Sequence, residues 1–293
     1  MIVTRLMGGL GNQMFQYAAG KALAQKLNTS LELDLSFLHK KNGIETKRDF
    51  ALDVFRLKPV FLSETLYPDF LKLKENRMFR IINRKAPFLL SRHYLSEKRF
   101  PFDPDFFNSK NNTFLDGFWQ TEKYFKDISG LIRTDFEFTL PLDSRNAALS
   151  AEISSSDSAG IHVRRGDYVN DKVTNAYHGV CGIEYYRRGV EELSRIYPDL
   201  RWYVFSDDAK WVRENLSFIP GMSVIDHNTG SSSYKDMQLM SQCRHQIIAN
   251  SSFSWWAAWL NKNKDKTVIA PEKWFLKSGI DTSDIYPEEW IKL

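Results

Sequence analysis

The chain has 293 residues, of which 43% are hydrophobic and 26% charged, with a formal net charge of +4. These totals exclude a disordered or fibrous chain, and the length suits two domains of ordinary size with substantial cores. Cys181 and Cys243 are neither spaced for zinc nor numerous enough for a disulfide framework, so both are expected as reduced thiols.

In chain order, residues 2–7 read as a short strand, 8–12 as a glycine turn, 13–27 as a helix and 31–35 as a second strand. Residues 50–104 read as irregular and helical, broken by Pro59, Pro68, Pro87, Pro101 and Pro104. Residues 113–119 read as a strand and 124–136 as a helix. The serine-rich stretch 150–158 marks a composition shift, which places a domain boundary between 155 and 156. Strands are then expected at 159–163, 201–206, 222–225, 246–249 and 267–270, and helices at 183–197, 210–216, 234–243 and 253–260. This alternation predicts an α/β fold with a parallel sheet wrapped by helices.

Basic residues gather between Lys72 and Arg99, including Arg77, Arg80, Arg84, Lys85, Arg92 and Lys98. A solvated helical surface accounts for such a run, and contact with an anionic membrane is the alternative. No nucleic-acid motif accompanies the charge, so nucleic acid is not expected as a partner. The N-terminus lacks a signal-peptide profile, and the apolar run around 255–260 is too short to span a bilayer. A cytoplasmic protein is expected, with peripheral contact to the inner membrane through segment 72–99 as the further expectation.

The strongest chemical signal is Gly160-Ile161-His162-Val163-Arg164-Arg165-Gly166-Asp167-Tyr168. A buried-type strand delivers two arginines to its carboxyl end, where open α/β sheets bind ligands. A guanidinium keeps its charge and offers several N–H donors to an oxyanion. Arg164 and Arg165 therefore read as a diphosphate clamp, and surface ion pairs, one of them closed by Asp167, are the alternative. His162 falls on the same side as Arg164 by strand alternation. It reads either as a core histidine or as a group facing a base or ribose.

Gly8-Gly9-Leu10-Gly11-Asn12-Gln13 lets backbone approach a ligand at a helix N-terminus. A dinucleotide reading with Asp34 as the ribose acid fails at Met14, where a third glycine is required; a plain tight turn is the other alternative. Asn250-Ser251-Ser252-Phe253 reads as a strand, a turn and a helix start. Ser251 and Ser252 either serve a phosphate there or cap the helix. Asp236 begins another helix, as a cap or as a carboxylate accepting two guanine N–H groups. Asp207 and Asp208 invite a magnesium reading, although arginines already suit a diphosphate and helix capping accounts for both. Trp255, Trp256 and Trp259 read as core.

Taken together, the stretches GGLGNQMFQYA, HVRRGDYV, YHGVCGIEYY, FSDD and NSSFSWWAAWL, in this order across nearly the whole chain, resemble the α-1,2-fucosyltransferases of glycosyltransferase family 11. The resemblance implies two Rossmann-like domains facing a cleft, the GT-B type. It also implies inverting transfer of L-fucose from GDP-L-fucose to the 2-hydroxyl of a galactose-terminated glycan, with no cofactor and no essential metal. It assigns Arg164 to the β-phosphate with Arg165 supporting, His162 and Asp236 to guanine and ribose, Ser251 and Ser252 to phosphate, and Asn12 to the catalytic centre. Gly9, Gly11 and Asp207 are expected to line the donor site. The acceptor proton needs a base, for which Asp167, Asp171 and His178 are the candidates. A transferase for another GDP-sugar, a non-catalytic nucleotide- or glycan-binding protein and a dinucleotide oxidoreductase are the competing readings.

Overall fold

The computed structural model describes residues 1–39, 48–62, 93–166, 176, 177 and 179–293. They form two compact units, Met1–Glu137 and Phe138–Leu293.

In the first unit, β1 (Ile2–Arg5) leads into α1 (Leu10–Lys26), followed by β2 (Leu31–Asp34) and the single turn α2 (Ser36–His39). β3 (Tyr94–Ser96), β4 (Thr113–Asp116) and α3 (Ser129–Asp135) complete it. The sheet order is β2-β1-β4-β3 with every pairing parallel. The small residues of α1 allow close approach to β1. A Cβ on Gly20 would stand 2.5 Å from Thr4 Oγ1. Phe106, Trp119 and Tyr124 pack ring on ring in the core, with centroids 4.7–5.4 Å apart.

Two readings change in this unit. The strand expected at 113–119 stops at Asp116, because Trp119 takes a left-handed φ of 55° and Gly117 has no room for a side chain against Glu97. The helix expected at 124–136 is the 3-10 turns Glu122–Tyr124 and Lys126–Ile128, with α3 after them. Of the basic segment 72–99, residues up to Arg92 lie outside the described residues, while Lys98 and Arg99 are exposed.

The second unit opens with α4 (Ser144–Ser154) and continues with β5 (Ser158–Val163), α5 (Ile183–Ile196), β6 (Arg201–Ser206), α6 (Ala209–Asn215) and β7 (Ser223–Ile225). α7 (Tyr234–Met240), β8 (His245–Ile247), α8 (Ser252–Leu260), β9 (Val268–Ala270) and β10 (Ile291–Lys292) follow. All pairings are parallel in the order β10-β9-β8-β5-β6-β7. The chain winds outward from β5 to β7, then crosses back and winds outward from β8 to β10. This doubly wound order is Rossmann-like, and its direction reverses between β5 and β8.

The division between units falls upstream of the serine-rich stretch. Ser150 and Ser154 of that stretch belong to α4, which starts where Asp143 accepts a hydrogen bond from Asn146 N–H at 3.0 Å. α4 buries Ile153 and packs against α7, so it belongs with the second unit. One face of the sheet packs Ile161, Val163 and Val204 against Tyr186, Val190 and Leu193 of α5. Trp255, Trp256 and Trp259 are buried as expected, and Trp255 Nε1–H donates to Ile285 O at 2.7 Å. Cys181 and Cys243 are free thiols. Among the described residues no helix is long and apolar enough to cross a membrane.

Candidate active site

β5 is buried along its whole length and sits between β8 and β6. Because all three strands are parallel, their carboxyl ends share one edge. Arg164 and Arg165 follow β5, Asp207 and Asp208 follow β6, and Ser251 and Ser252 follow β8 at the reversal point. Ligands bind at such a crevice in doubly wound sheets.

Both arginines are oriented by carboxylates. Arg164 forms an ion pair with Asp207 Oδ2 at 2.7 Å, and the Arg165 backbone N–H donates to Asp207 Oδ1 at 2.9 Å. Arg165 Nε–H reaches Asp208 Oδ2 at 3.4 Å, and its guanidinium lies 4.1 Å above the Trp211 ring. Asp208 also caps α6 by accepting from Trp211 N–H at 3.1 Å. Asp207 and Asp208 therefore serve the arginines and a helix start. The ion pairs of the two arginines are made with Asp207 and Asp208, and Asp167, the partner expected for one of them, lies outside the described residues. Gly166 lies close against the same carboxylate: a Cβ there would stand 2.7 Å from Asp207 Oδ2 and push that side chain aside.

His162 is 6% exposed, and its Nδ1 is buried without a hydrogen-bond partner among the described residues. Burial, with a smaller contribution from Arg164 and opposed by Asp207, pulls its pKa down to about 4. The ring is neutral at physiological pH and lies 5.5 Å from Phe253 at the start of α8. A buried polar nitrogen without a partner costs stability, and at this edge a ligand group can satisfy it.

Ser251 occupies the cap position of α8, but its side chain makes no capping bond. The first amides of α8 thus point to the edge that holds Arg164, in the arrangement that suits a phosphate. Asn250 fixes this turn, donating to Gly179 O at 3.3 Å and Trp274 O at 3.2 Å. Asp236 lies in the first turn of α7, beyond the β7 end, and accepts from Asn228 Nδ2 at 2.7 Å. Burial pushes its pKa up to about 7, opposed by the Asn228 bond and aided by Asp226.

The first unit has its own reversal point, between β1 and β4, and the glycine turn sits there. Gly8 takes φ +73°, and a Cβ on it would stand 2.5 Å from Asn12 Nδ2. Gly9 is the cap residue of α1, and its missing side chain faces open space. Gly11 is buried within α1. Asn12 Oδ1 accepts from Gln120 Nε2 at 2.8 Å, across from the β4 end. Gln13 locks the turn: its Nε2 donates to Gly8 O and Asp49 O, both at 2.9 Å, and its Oε1 accepts from Ala51 N–H at 3.0 Å. Asp34, the ribose acid of the dinucleotide reading, instead accepts from Arg5, Ser36 N–H and Ser36 Oγ–H.

Sequence reasoning missed Trp211, Gln120, Asn228 and Glu97. Trp211 was detectable as an aromatic three positions after Asp208. Glu97 accepts from Phe118 N–H at 2.7 Å and Trp119 N–H at 3.0 Å, which fixes the turn carrying Gln120, and burial pushes its pKa up to about 7. No local pattern announces it. Asp167, Asp171 and His178 lie outside the described residues. Gly9, Gly11 and Asn12 stand in the first unit, and the other described candidates stand in the second.

The family model described as Glycosyl transferase family 11 matches residues 1–293. The chain is 35% identical to an alpha-1,2-colitosyltransferase of Escherichia coli, over 100% of this chain and 99% of that one. It is 33% identical to the O-antigen biosynthesis glycosyltransferase WbnK of Escherichia coli, over 98% and 99%. It is 28% identical to galactoside alpha-(1,2)-fucosyltransferase 1 of Lagothrix lagotricha, over 97% of this chain and 72% of that one. Among solved structures, NodZ alpha-1,6-fucosyltransferase soaked with GDP-fucose superposes with a TM-score of 0.54 at 16% identity, covering 88% of this chain and 91% of that one. The fold is that of the GT-B glycosyltransferases, with two Rossmann-like domains.

Proposed function

The chain belongs to glycosyltransferase family 11, and from that membership we propose that it moves L-fucose from GDP-L-fucose to the 2-hydroxyl of a terminal β-galactoside, with inversion at the fucose anomeric carbon. The observation that carries the proposal is the pair of carboxylate-oriented arginines at the β5–β8 reversal point, beside the α8 N-terminus.

As the bond between fucose C1 and the phosphate oxygen breaks, positive charge grows on the sugar and negative charge on GDP. Arg164 is proposed to meet the β-phosphate, with Arg165 supporting it and the α8 amides with Ser251 and Ser252 holding phosphate oxygens. These donors stabilise the leaving group most where its charge develops. Held in place before the reaction, they supply the positive charge a metal ion would otherwise bring, so turnover is expected to survive EDTA. His162 and Asp236 are proposed to bind ribose and guanine. Asn12, with Gly9 and Gly11, is proposed to act at the fucose end of the donor, and Asp207 to keep Arg164 aimed. The galactose 2-hydroxyl loses its proton as its oxygen attacks C1. Asp167 and His178 are the proposed acceptors of that proton. Loss of the acidic limb of the pH–rate profile in Asp167→Asn or His178→Gln assigns it.

The relative that transfers colitose favours a second donor reading, because colitose is fucose without its 3-hydroxyl. Parallel turnover of GDP-L-fucose and GDP-colitose separates the two. Preference for GDP-L-fucose is the expected result, and preference for the deoxy sugar replaces the donor in this account. A cytoplasmic location with contact to an anionic membrane through segment 72–99 goes with the proposal. Salt-sensitive cosedimentation with anionic vesicles tests that contact.

A further inference from the structure

We propose that Asn228, braced by Asn146, is the positioning residue that aims the carboxylate of Asp236 at the guanine base of the donor. The inference rests on the reading of Asp236 as the guanine acceptor.

A single carboxylate on a short helix can turn about its own side-chain bonds, and accepting two adjacent N–H groups requires one orientation. Here that orientation comes from outside α7. Asn228 Nδ2 donates to Asp236 Oδ1 at 2.7 Å. The same nitrogen donates to Asn146 Oδ1 at 2.9 Å, and Asn146 Nδ2 returns a bond to Asn228 Oδ1 at 2.9 Å. This closed amide pair is buried, with Asn146 1% and Asn228 7% exposed.

Each amide nitrogen has two hydrogens. Those of Asn228 go to Asn146 and Asp236, and those of Asn146 go to Asn228 and Asp143 Oδ2, the latter at 2.8 Å. Turning either amide over would set oxygen against a carboxylate, so each has one orientation. Lys235 Nζ holds Asp143 from the far side at 2.7 Å, and His227 Nε2 stands 3.0 Å from Asn146 Oδ1. The result is a directed row from Asp143 through Asn146 and Asn228 to Asp236. Capping α4 needs only the bond from Asn146 N–H to Asp143, at 3.0 Å. The amide pair goes beyond that need, and it ends on the carboxylate proposed to read the base.

Guanine offers N1–H and its 2-amino group side by side, and inosine diphosphate lacks the 2-amino group. Titration calorimetry with GDP and inosine diphosphate on the full chain tests the proposal, with folding of each variant checked by circular dichroism. The unaltered protein is expected to prefer GDP by about ten-fold or more, the usual effect of one hydrogen bond to a charged group. Asp236→Ala is expected to abolish the preference. Asn228→Ala, with Asn146→Ala as the second variant, is expected to reduce it to about two-fold, with a larger loss of affinity for GDP than for inosine diphosphate, which keeps the phosphate contacts and only one of the two N–H groups. Retention of the full preference in both asparagine variants, or an equal loss of both nucleotides, overturns the positioning role. Retention of the preference in Asp236→Ala overturns the guanine reading itself.

Discussion

Arg164 and Asp236 are the residues at which the account is most exposed to test. Arg164 ends a fully buried strand and is held by Asp207 at 2.7 Å, so its charge is in place before any bond breaks. Losing one such preorganised donor costs about 2.7–4 kcal/mol in the barrier, or about 10²–10³-fold in kcat. Arg164→Ala is therefore expected to fold normally and turn over at that reduced rate, as read by GDP release. Asp236 governs a pH dependence. Burial raises its pKa to about 7, so below that pH the carboxyl is mostly protonated and cannot accept both guanine N–H groups. Binding then requires loss of a proton, and donor affinity is expected to fall about ten-fold per unit as pH drops below 7, and to level off above it. Asp236→Asn should flatten that curve. His162 does not share in it, because its pKa of about 4 leaves the ring neutral throughout this range. Affinity that is flat from pH 5.5 to 8 in the unaltered protein contradicts the assignment.

At the scale of elements, turns carry more of the chemistry than helices or strands do. The two glycines that matter most, Gly8 and Gly166, each keep a polar side chain in place. Gly8→Ala forces a left-handed backbone on alanine, at about 1–2 kcal/mol, and drives its Cβ onto Asn12 Nδ2. A lowered melting temperature together with a disproportionate loss of turnover is expected. Gly166→Ala meets only the far end of the Asp207 side chain, so stability should change by less than about 0.5 kcal/mol. The displaced carboxylate releases Arg164, and kcat/KM should fall about ten-fold, the effect of one charge-assisted hydrogen bond. Unchanged kinetics would separate Asp207 from the aim of Arg164. These turns were legible because glycine, arginine and aspartate at fixed spacing point to few structures. β3 and β10, of three and two residues, were not, since neither is long enough to show a period. α4 was hidden by its serines, which suggest a linker until Asp143 is seen capping the helix and Ile153 is seen buried. Glu97 and Asn228 were invisible because their partners, Phe118 with Trp119 and Asn146, lie elsewhere in the chain.

For the whole molecule, alternation of strand and helix after residue 158 foretold a parallel sheet, and the observed order β10-β9-β8-β5-β6-β7 is that sheet. The order itself was not legible, because nothing local tells β8 to pair with β5 rather than with β7. That pairing brings Arg164 and the α8 N-terminus to one crevice, although 86 residues separate Arg244 from its hydrogen-bond partner Ser158 at the opposite end of those strands. The chain is a member of glycosyltransferase family 11 with two Rossmann-like domains. The proposed transfer is tested by GDP release from GDP-L-fucose in EDTA, with and without lactose or N-acetyllactosamine, followed by NMR of the product. Release that depends on the galactoside, and an α-1,2 linkage in the product, are the expected results. Release that no β-galactoside accelerates, or fucose joined to another hydroxyl, would contradict the proposed transfer.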